Sequence, residues 1–179
     1  NIISGKLALD SLDFAIGDLK HNLIDVLVTL PINKKTVALN QHNFVGHTEY
    51  LLQKFDLKSN CLMFLCSNKI KVATLTNHLP ISKVAKSINS NILREKIKIL
   101  LESLKKDFSI PMPKVAILGL NPHSGDSGLI GSEETKIILP MIRGFFELGD
   151  LVYGPYSSDA FFGSGSYKSF DAVLGMYHD

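Results

Sequence analysis

Residues 114–120 have the sequence KVAILGL, and the loop NPHSGDSG follows at 121–128. The first segment is a short, continuous apolar run, which is typical of a strand that is buried on both faces. Before it, residues 91–107 carry an apolar stripe at helical spacing that ends ahead of Pro111 and Pro113. A strand that follows a helix in this way is the unit of an α/β layer fold.

The same alternation of helical and strand-like segments continues in both directions. Ser132 is the expected N-cap of a helix, and Pro140 is expected to kink that helix. The change in composition near Pro111 predicts two α/β regions, residues 1–110 and residues 111–179. In chain order we predict helix 6–20, strands 24–30, 62–66 and 71–76, helices 80–88 and 91–107, strand 114–120, helix 132–148, and strands 151–153 and 172–176.

The composition excludes several classes of protein. With 179 residues, of which 45% are hydrophobic, the chain can bury a core, which a disordered chain cannot do. A net charge of +2 argues against a nucleic-acid-binding protein. No apolar run approaches the roughly 20 residues of a membrane span, and no signal peptide is visible. Cys61 and Cys66 lie in one short apolar run, which indicates reduced core thiols and a cytoplasmic location.

Histidines follow three of the predicted strands. His78, His123 and His178 each lie within three residues of the carboxyl end of a strand. In a parallel α/β sheet these ends share one edge, where ligands bind. Three neutral imidazoles that converge from rigid elements can hold a divalent cation and leave a position open for substrate. Their spacing matches no local metal motif, so three ordinary polar loop residues are the alternative.

The loop 121–128 gives a second signal. Gly125 and Gly128 allow close approach of the backbone, and a glycine-rich loop after a strand can present N–H groups to an anion. The loop matches neither the GxGxxG dinucleotide fingerprint nor the P-loop pattern. An ordinary flexible loop is the alternative here.

Five segments, in chain order, share motifs with one known family. They are FVGHTEYL (44–51), ATLTNHLPI (73–81), ILGLNPHSGDSG (117–128), YGPYSSDAFF (153–162) and DAVLGMYHD (171–179). Through these segments the chain resembles the 4-hydroxythreonine-4-phosphate dehydrogenases of vitamin B6 biosynthesis. The resemblance implies a two-domain α/β/α fold with a mixed, mostly parallel sheet. It also implies a homodimer, with the site in the interdomain cleft at the subunit interface.

The resemblance also implies functions for particular residues. His78, His123 and His178 correspond to the metal ligands of the family, which come from both subunits. His47 and Thr48 of the GHTE segment correspond to substrate contacts.

Two further residues are candidates for the site. Asp159 matches an aspartate of the family, and Lys34 is a candidate charge partner. The sequence departs from the usual family pattern at Asn33, Asn77 and Ala160, each next to a candidate site residue.

The implied reaction is the oxidation of the 3-hydroxyl of 4-phosphooxy-L-threonine by NAD⁺, or by NADP⁺. Loss of CO₂ then gives 3-amino-2-oxopropyl phosphate for pyridoxal phosphate synthesis. A divalent cation, either Zn²⁺, Mg²⁺ or Co²⁺, suits both steps as a Lewis acid, and NAD carries the hydride. Neither the general base nor the NAD-binding residues are identified by the sequence.

Three alternatives stay open at this point. A paralogue that acts on another four-carbon phosphorylated hydroxy acid, such as threonate or erythronate phosphate, would keep the same histidines. The chain is also compatible with a catalytically silent metal-binding or dimerisation fragment. This is because the family's amino-terminal segment, and the segment after MYHD with its Lys, Asn and Arg substrate contacts, are expected outside this sequence. A metallohydrolase is the third alternative, since three histidines also suit a zinc hydroxide, although no HExxH motif is present.

Overall fold

The computed structural model describes residues 2–40, 44–57 and 61–178, which fall into two compact units. The first unit is Asn1–Ser59 and the second unit is Asn60–Asp179. The regions 1–110 and 111–179 that the composition predicts stay a prediction.

The first unit contains three helices around a small apolar core. They are α1 (Ile2–Lys20), α2 (Lys34–Ala38) and α3 (His47–Lys54). The predicted helix 6–20 is thus confirmed within α1. Its buried side chains include Leu9, Leu12 and Ile16, which share one helical face and pack with Val37 and Phe44.

Residues 24–30 do not form the predicted strand. Val26, Val28 and Leu30 are 71%, 84% and 80% exposed. A β-branched sequence forms a strand when neighbouring strands complete its hydrogen bonds and cover one of its faces. Residues 2–40 and 44–57 supply no such neighbour, so composition alone gave a wrong prediction here.

The second unit is built on a five-stranded sheet with the strand order β1-β2-β5-β3-β4. β1 pairs with β2 in antiparallel fashion, and the other three pairings are parallel. This confirms the mixed, mostly parallel sheet. The strands are β1 (Met63–Cys66), β2 (Lys71–Thr74), β3 (Val115–Leu118), β4 (Val152–Tyr156) and β5 (Ala172–Gly175).

Helices cover both faces of this sheet, as the predicted α/β/α layers require. They are α4 (Ile81–Ser87), α5 (Ser90–Lys106), α6 (Leu139–Glu147) and α7 (Ser158–Gly163). In β3, Ile117 belongs to the apolar cluster that contains the buried faces of α5 and α6. Its neighbours Ala116 and Leu118 belong to a separate cluster with Phe161 of α7. Because successive strand residues face opposite sides, a strand buried on both faces is apolar throughout.

The predicted helix 132–148 begins with a wide turn. Residues Glu134–Ile138 are π-helical, and α6 follows directly with Pro140 in its first turn. Proline has no N–H to give to the preceding turn, and widened turns are one way in which a helix accommodates that loss. The expected Ser132 cap is not formed: the π-helical turn begins after Glu133, and its start has no hydrogen bond from a capping side chain.

The two cysteines differ in their exposure. Cys61 is half-buried and Cys66 is exposed, so the prediction of two core thiols was wrong for Cys66, which ends an edge strand of the sheet.

No helix in the described part of the chain is long and apolar enough to cross a membrane.

Candidate metal and substrate site

The three candidate histidines follow three neighbouring parallel strands at one edge of the sheet. β5 lies between β2 and β3 and runs parallel to both. His78 follows β2, His178 follows β5 and His123 follows β3. The shared edge that the sequence predicted is therefore present, and it is where α/β sheets bind ligands.

His78 and His178 lie side by side at this edge. Their ring centroids are 5.9 Å apart with an interplanar angle of 34°. The pairing of β2 with β5 continues up to them, because the Thr76 N–H and hydroxyl both donate to the Met176 carbonyl, at 3.2 and 2.8 Å. Both imidazoles are exposed, so one ring nitrogen of each can bind the same cation on the solvent side of the sheet edge.

His123 lies in an unusual turn after β3. Residues 123–127 all have positive φ, with values of 52°, 53°, 79°, 41° and 57°, and only Gly125 among them is a glycine. A left-handed conformation costs a non-glycine residue about 1–2 kcal/mol, so a run of this kind persists only where its surroundings fix it. On one side the Ser124 hydroxyl donates to the Pro155 carbonyl of β4 at 3.1 Å.

On the other side the turn is held by Glu134, a residue that sequence reasoning missed. Its side chain is 2% exposed, and Oε1 accepts from the N–H groups of Leu120 and Asn121, at 2.7 Å each. Oε2 accepts from Asn121 Nδ2 at 2.9 Å. A signal was available: Glu134 falls on the apolar stripe of its helix, four residues before Ile138 and eleven before Phe145. A carboxylate in such a stripe is expected to be buried and hydrogen-bonded.

Two other carboxylates lie close to this turn. The hydrogen bond from Asn121 is the main reason why the pKa of Glu133 lies below its ordinary value. The exposed Asp159 has a lowered pKa because the Ser157 hydroxyl donates to it at 2.6 Å, and the charge of His123 adds to this effect.

The described residues bring together two of the three histidines. In the portions of the chain that the structure describes, no three His, Cys, Asp or Glu side chains lie close enough together to hold a metal ion. His123 therefore does not join His78 and His178 within this chain. The donor set itself, imidazoles at a sheet edge, fits a divalent cation such as zinc or cobalt.

The candidate substrate contacts lie in the first unit. His47 is the first residue of α3, and its ring packs edge-to-face on Phe44 with centroids 6.3 Å apart. Gly46 precedes the helix and provides no side-chain cap. A Cβ added at Gly46 would lie 3.1 Å from Glu49 Oε2 and 3.6 Å from Lys34 Nζ, so a carboxylate and an ammonium group are both close to this helix start. The Glu49 carboxylate in the first turn thus shares this helix start with Lys34, and the candidate contacts His47 and Thr48 directly precede it in the sequence.

Comparison with known proteins decides the family. The family model described as pyridoxal phosphate biosynthetic protein PdxA matches residues 1–179. The chain belongs to the PdxA family. It is 45% identical over 176 residues to the 4-hydroxythreonine-4-phosphate dehydrogenase of Bacteroides thetaiotaomicron, covering 98% of this chain and 48% of that protein. The enzyme of the same name from a Sulfurihydrogenibium species is 38% identical, with 98% and 54% covered.

A solved PdxA-family structure has the same fold. The crystal structure of 4-hydroxythreonine-4-phosphate dehydrogenase from Klebsiella pneumoniae superposes with a TM-score of 0.85 at 28% identity, covering all of this chain and 54% of that chain. The chain spans about half the length of the curated relatives that it matches. The fold expected from the resemblance is confirmed.

Proposed function

We propose that this chain is the central part of an NAD-dependent 4-hydroxythreonine-4-phosphate dehydrogenase. The substrate is 4-phosphooxy-L-threonine, which is oxidised at its 3-hydroxyl and then loses CO₂ to give 3-amino-2-oxopropyl phosphate. The observation that carries the proposal is the side-by-side placement of His78 and His178 after neighbouring parallel strands, in a chain of the PdxA family. Pyridoxal phosphate synthesis in the cytoplasm is the proposed context.

His78, His123 and His178 are the proposed ligands of a divalent cation, Zn²⁺, Mg²⁺ or Co²⁺. When bound, the cation supplies Lewis acidity for the oxidation and the decarboxylation, while NAD supplies the hydride acceptor. The protein contributes the placement of the imidazoles, and the β2–β5 pairing supports this for two of them because it continues to Thr76 and Met176, two residues before His78 and His178.

A homodimer that shares these ligands accounts for the position of His123. Within this chain His123 lies in a turn of its own and does not complete a three-ligand cluster among the described residues. In a dimer with a shared site, the third imidazole next to His78 and His178 comes from the partner. The proposed assembly is therefore a dimer in which each metal contacts both subunits.

His47 and Thr48 are the proposed substrate contacts, and Lys34 is their charge partner. Support comes from the ammonium group of Lys34, which lies near the start of α3 together with the Glu49 carboxylate and can pair with a phosphate or carboxylate of the substrate. Asp159, which matches an aspartate of the family, is proposed as a further polar group of the site.

The test compares two proteins: the 179-residue chain and a protein extended to the full length of its relatives. NADH formation is followed with 4-phosphooxy-L-threonine, NAD⁺ and each of the three cations. We expect turnover by the extended protein and none by the chain alone, because the chain offers a multiply charged substrate few cationic partners: Lys34 and, within residues 114–179, Lys114, Lys136, Arg143 and Lys168.

Other outcomes distinguish the alternatives. Faster turnover with threonate or erythronate phosphate would assign the chain to a paralogue. Absence of turnover by the extended protein with any of these substrates would contradict the proposed function. Parental activity in the 179-residue chain would show that the site lies wholly within it.

A further inference from the structure

We propose that Glu134 is a positioning residue for His123: it fixes the left-handed turn that presents this imidazole to the cation. The inference rests on the proposed function, since it assumes that His123 is a ligand. Glu134 does not contact the cation site itself. It acts through the backbone of residues 120 and 121, which lead into the turn.

The hydrogen bonds of Glu134 define where the chain leaves β3. One carboxylate oxygen accepts from two successive backbone N–H groups, those of Leu120 and Asn121. The other oxygen accepts from the Asn121 side chain, which also donates to Glu133 Oε2 at 2.8 Å, so Glu134 holds the backbone of Asn121 and shares its side chain with Glu133. His123 follows two residues later, and it is already in the left-handed region.

Two glycines, Gly119 and Gly125, leave the space that this carboxylate needs, and Gly131 leaves the space for its partner Asn121. A Cβ at Gly125 would lie 2.7 Å from Glu134 Oε2, and one at Gly119 would lie 3.2 Å from Oε1 and 2.8 Å from Ser124 Oγ. A Cβ at Gly131 would lie 2.3 Å from Asn121 Nδ2. Each distance is shorter than ordinary packing allows, so the turn is built closely around Glu134.

The hydrogen-bond donors around Glu134 favour a role in positioning the turn over a role in filling the core. A buried carboxylate is costly unless hydrogen-bond donors meet it, and here all three donors belong to the two residues that introduce the turn. Leucine or glutamine of similar size would fill the same space. Only an ionised carboxylate accepts from all three N–H groups without adding a donor of its own.

The test is a double-mutant cycle on metal binding in the protein extended to the full length of its relatives. Co²⁺ alone is titrated into the metal-free protein, and the Kd is measured for the wild type, Glu134→Gln, His123→Ala and the double variant. We expect Glu134→Gln to weaken binding about tenfold in the wild-type background and to have no further effect when His123 is alanine. Glu133→Gln is the matched control, because this half-exposed neighbour bonds the Asn121 side chain, the Ser132 N–H and its own N–H rather than the backbone of Leu120 and Asn121. It should change the Kd by less than about threefold.

A purely structural role gives a different pattern. Equal weakening by Glu134→Gln in both backgrounds, or an unchanged Kd, would overturn the inference. Failure of the wild type to bind Co²⁺ would remove the metal site and the inference together, and so is distinguishable from failure of the inference alone. Where Glu134→Gln does not fold by circular dichroism, Asn121→Ala replaces it. We then expect about threefold weaker binding that disappears in the His123→Ala background, and equal weakening in both would again overturn the inference.

Discussion

Two apolar segments of similar composition, β5 in the second unit and residues 24–30 in the first, have opposite structures. Val173 and Leu174 of β5 are at most 1% exposed, because β2 and β3 pair with them on both sides. Val28 and Leu30 are at least 80% exposed and pair with no described strand. Apolar, β-branched sequence is therefore not sufficient for a strand, and neighbouring strands decide whether one forms.

The difference matters for the site because the histidines depend on the paired strands. His178 is placed beside His78 by hydrogen bonds that continue the β2–β5 ladder. The candidate contacts of the first unit, His47 and Thr48, are placed by a helix start instead.

The largest expected effect is on the free energy of unfolding, which a substitution in β5 should lower much more than a substitution in residues 24–30. Leu174→Ala should destabilise the protein by about 2–5 kcal/mol, because it leaves a cavity in a fully buried core. Val28→Ala should cost less than about 0.5 kcal/mol, since the side chain is already in water. Urea unfolding followed by circular dichroism measures both. Comparable losses for the two variants would show that residues 24–30 are packed.

The next effect concerns substrate binding by the first unit. His47→Ala should lower kcat/KM for 4-phosphooxy-L-threonine about tenfold or more, which corresponds to one lost hydrogen bond to a charged group. His21→Ala is the control, because among the described residues this exposed ring hydrogen-bonds to the Gly17 carbonyl of the helix that precedes it. Steady-state kinetics in the extended protein measures the change. Unchanged kinetics for His47→Ala would remove this residue from the site.

The smallest effect is the pH dependence of an ion pair in the first unit. Burial raises the pKa of Asp13, but hydrogen bonds from Lys54 and Tyr50 outweigh burial and leave the pKa below its ordinary value of 3.8. A lowered folded-state pKa stabilises the protein above pH 3.8, and this contribution is lost as the pH falls through the folded value. Because the pair is largely exposed, the contribution should stay below about 1 kcal/mol. The stability difference between wild type and Asp13→Asn, measured by urea unfolding, should shrink on acidification. A difference that grows instead would contradict this assignment.

The sequence predicted what depends on local pattern. The apolar stripe of α5 and the short runs of β2, β3 and β5 identify these elements, and their order places His78, His123 and His178 at one edge. Family motifs then matched the same three histidines.

What the sequence did not predict depends on contacts between distant residues. The left-handed turn after β3 is fixed by Glu134, which lies 14 residues from the Leu120 N–H that it accepts from. The prediction of a strand at 24–30 was wrong for the same reason, because a strand requires partner strands that local composition cannot supply.

The decisive measurement is the cobalt content of the extended protein and of its His78→Ala, His123→Ala and His178→Ala variants, with His21→Ala as control. If these three imidazoles form the metal centre, the wild type and His21→Ala carry a full complement of cobalt per subunit. Each of the three variants then loses most of its metal and its metal-dependent NADH formation, while its circular dichroism spectrum stays unchanged. Full cobalt content in all three variants would contradict the metal centre and, with it, the proposed mechanism.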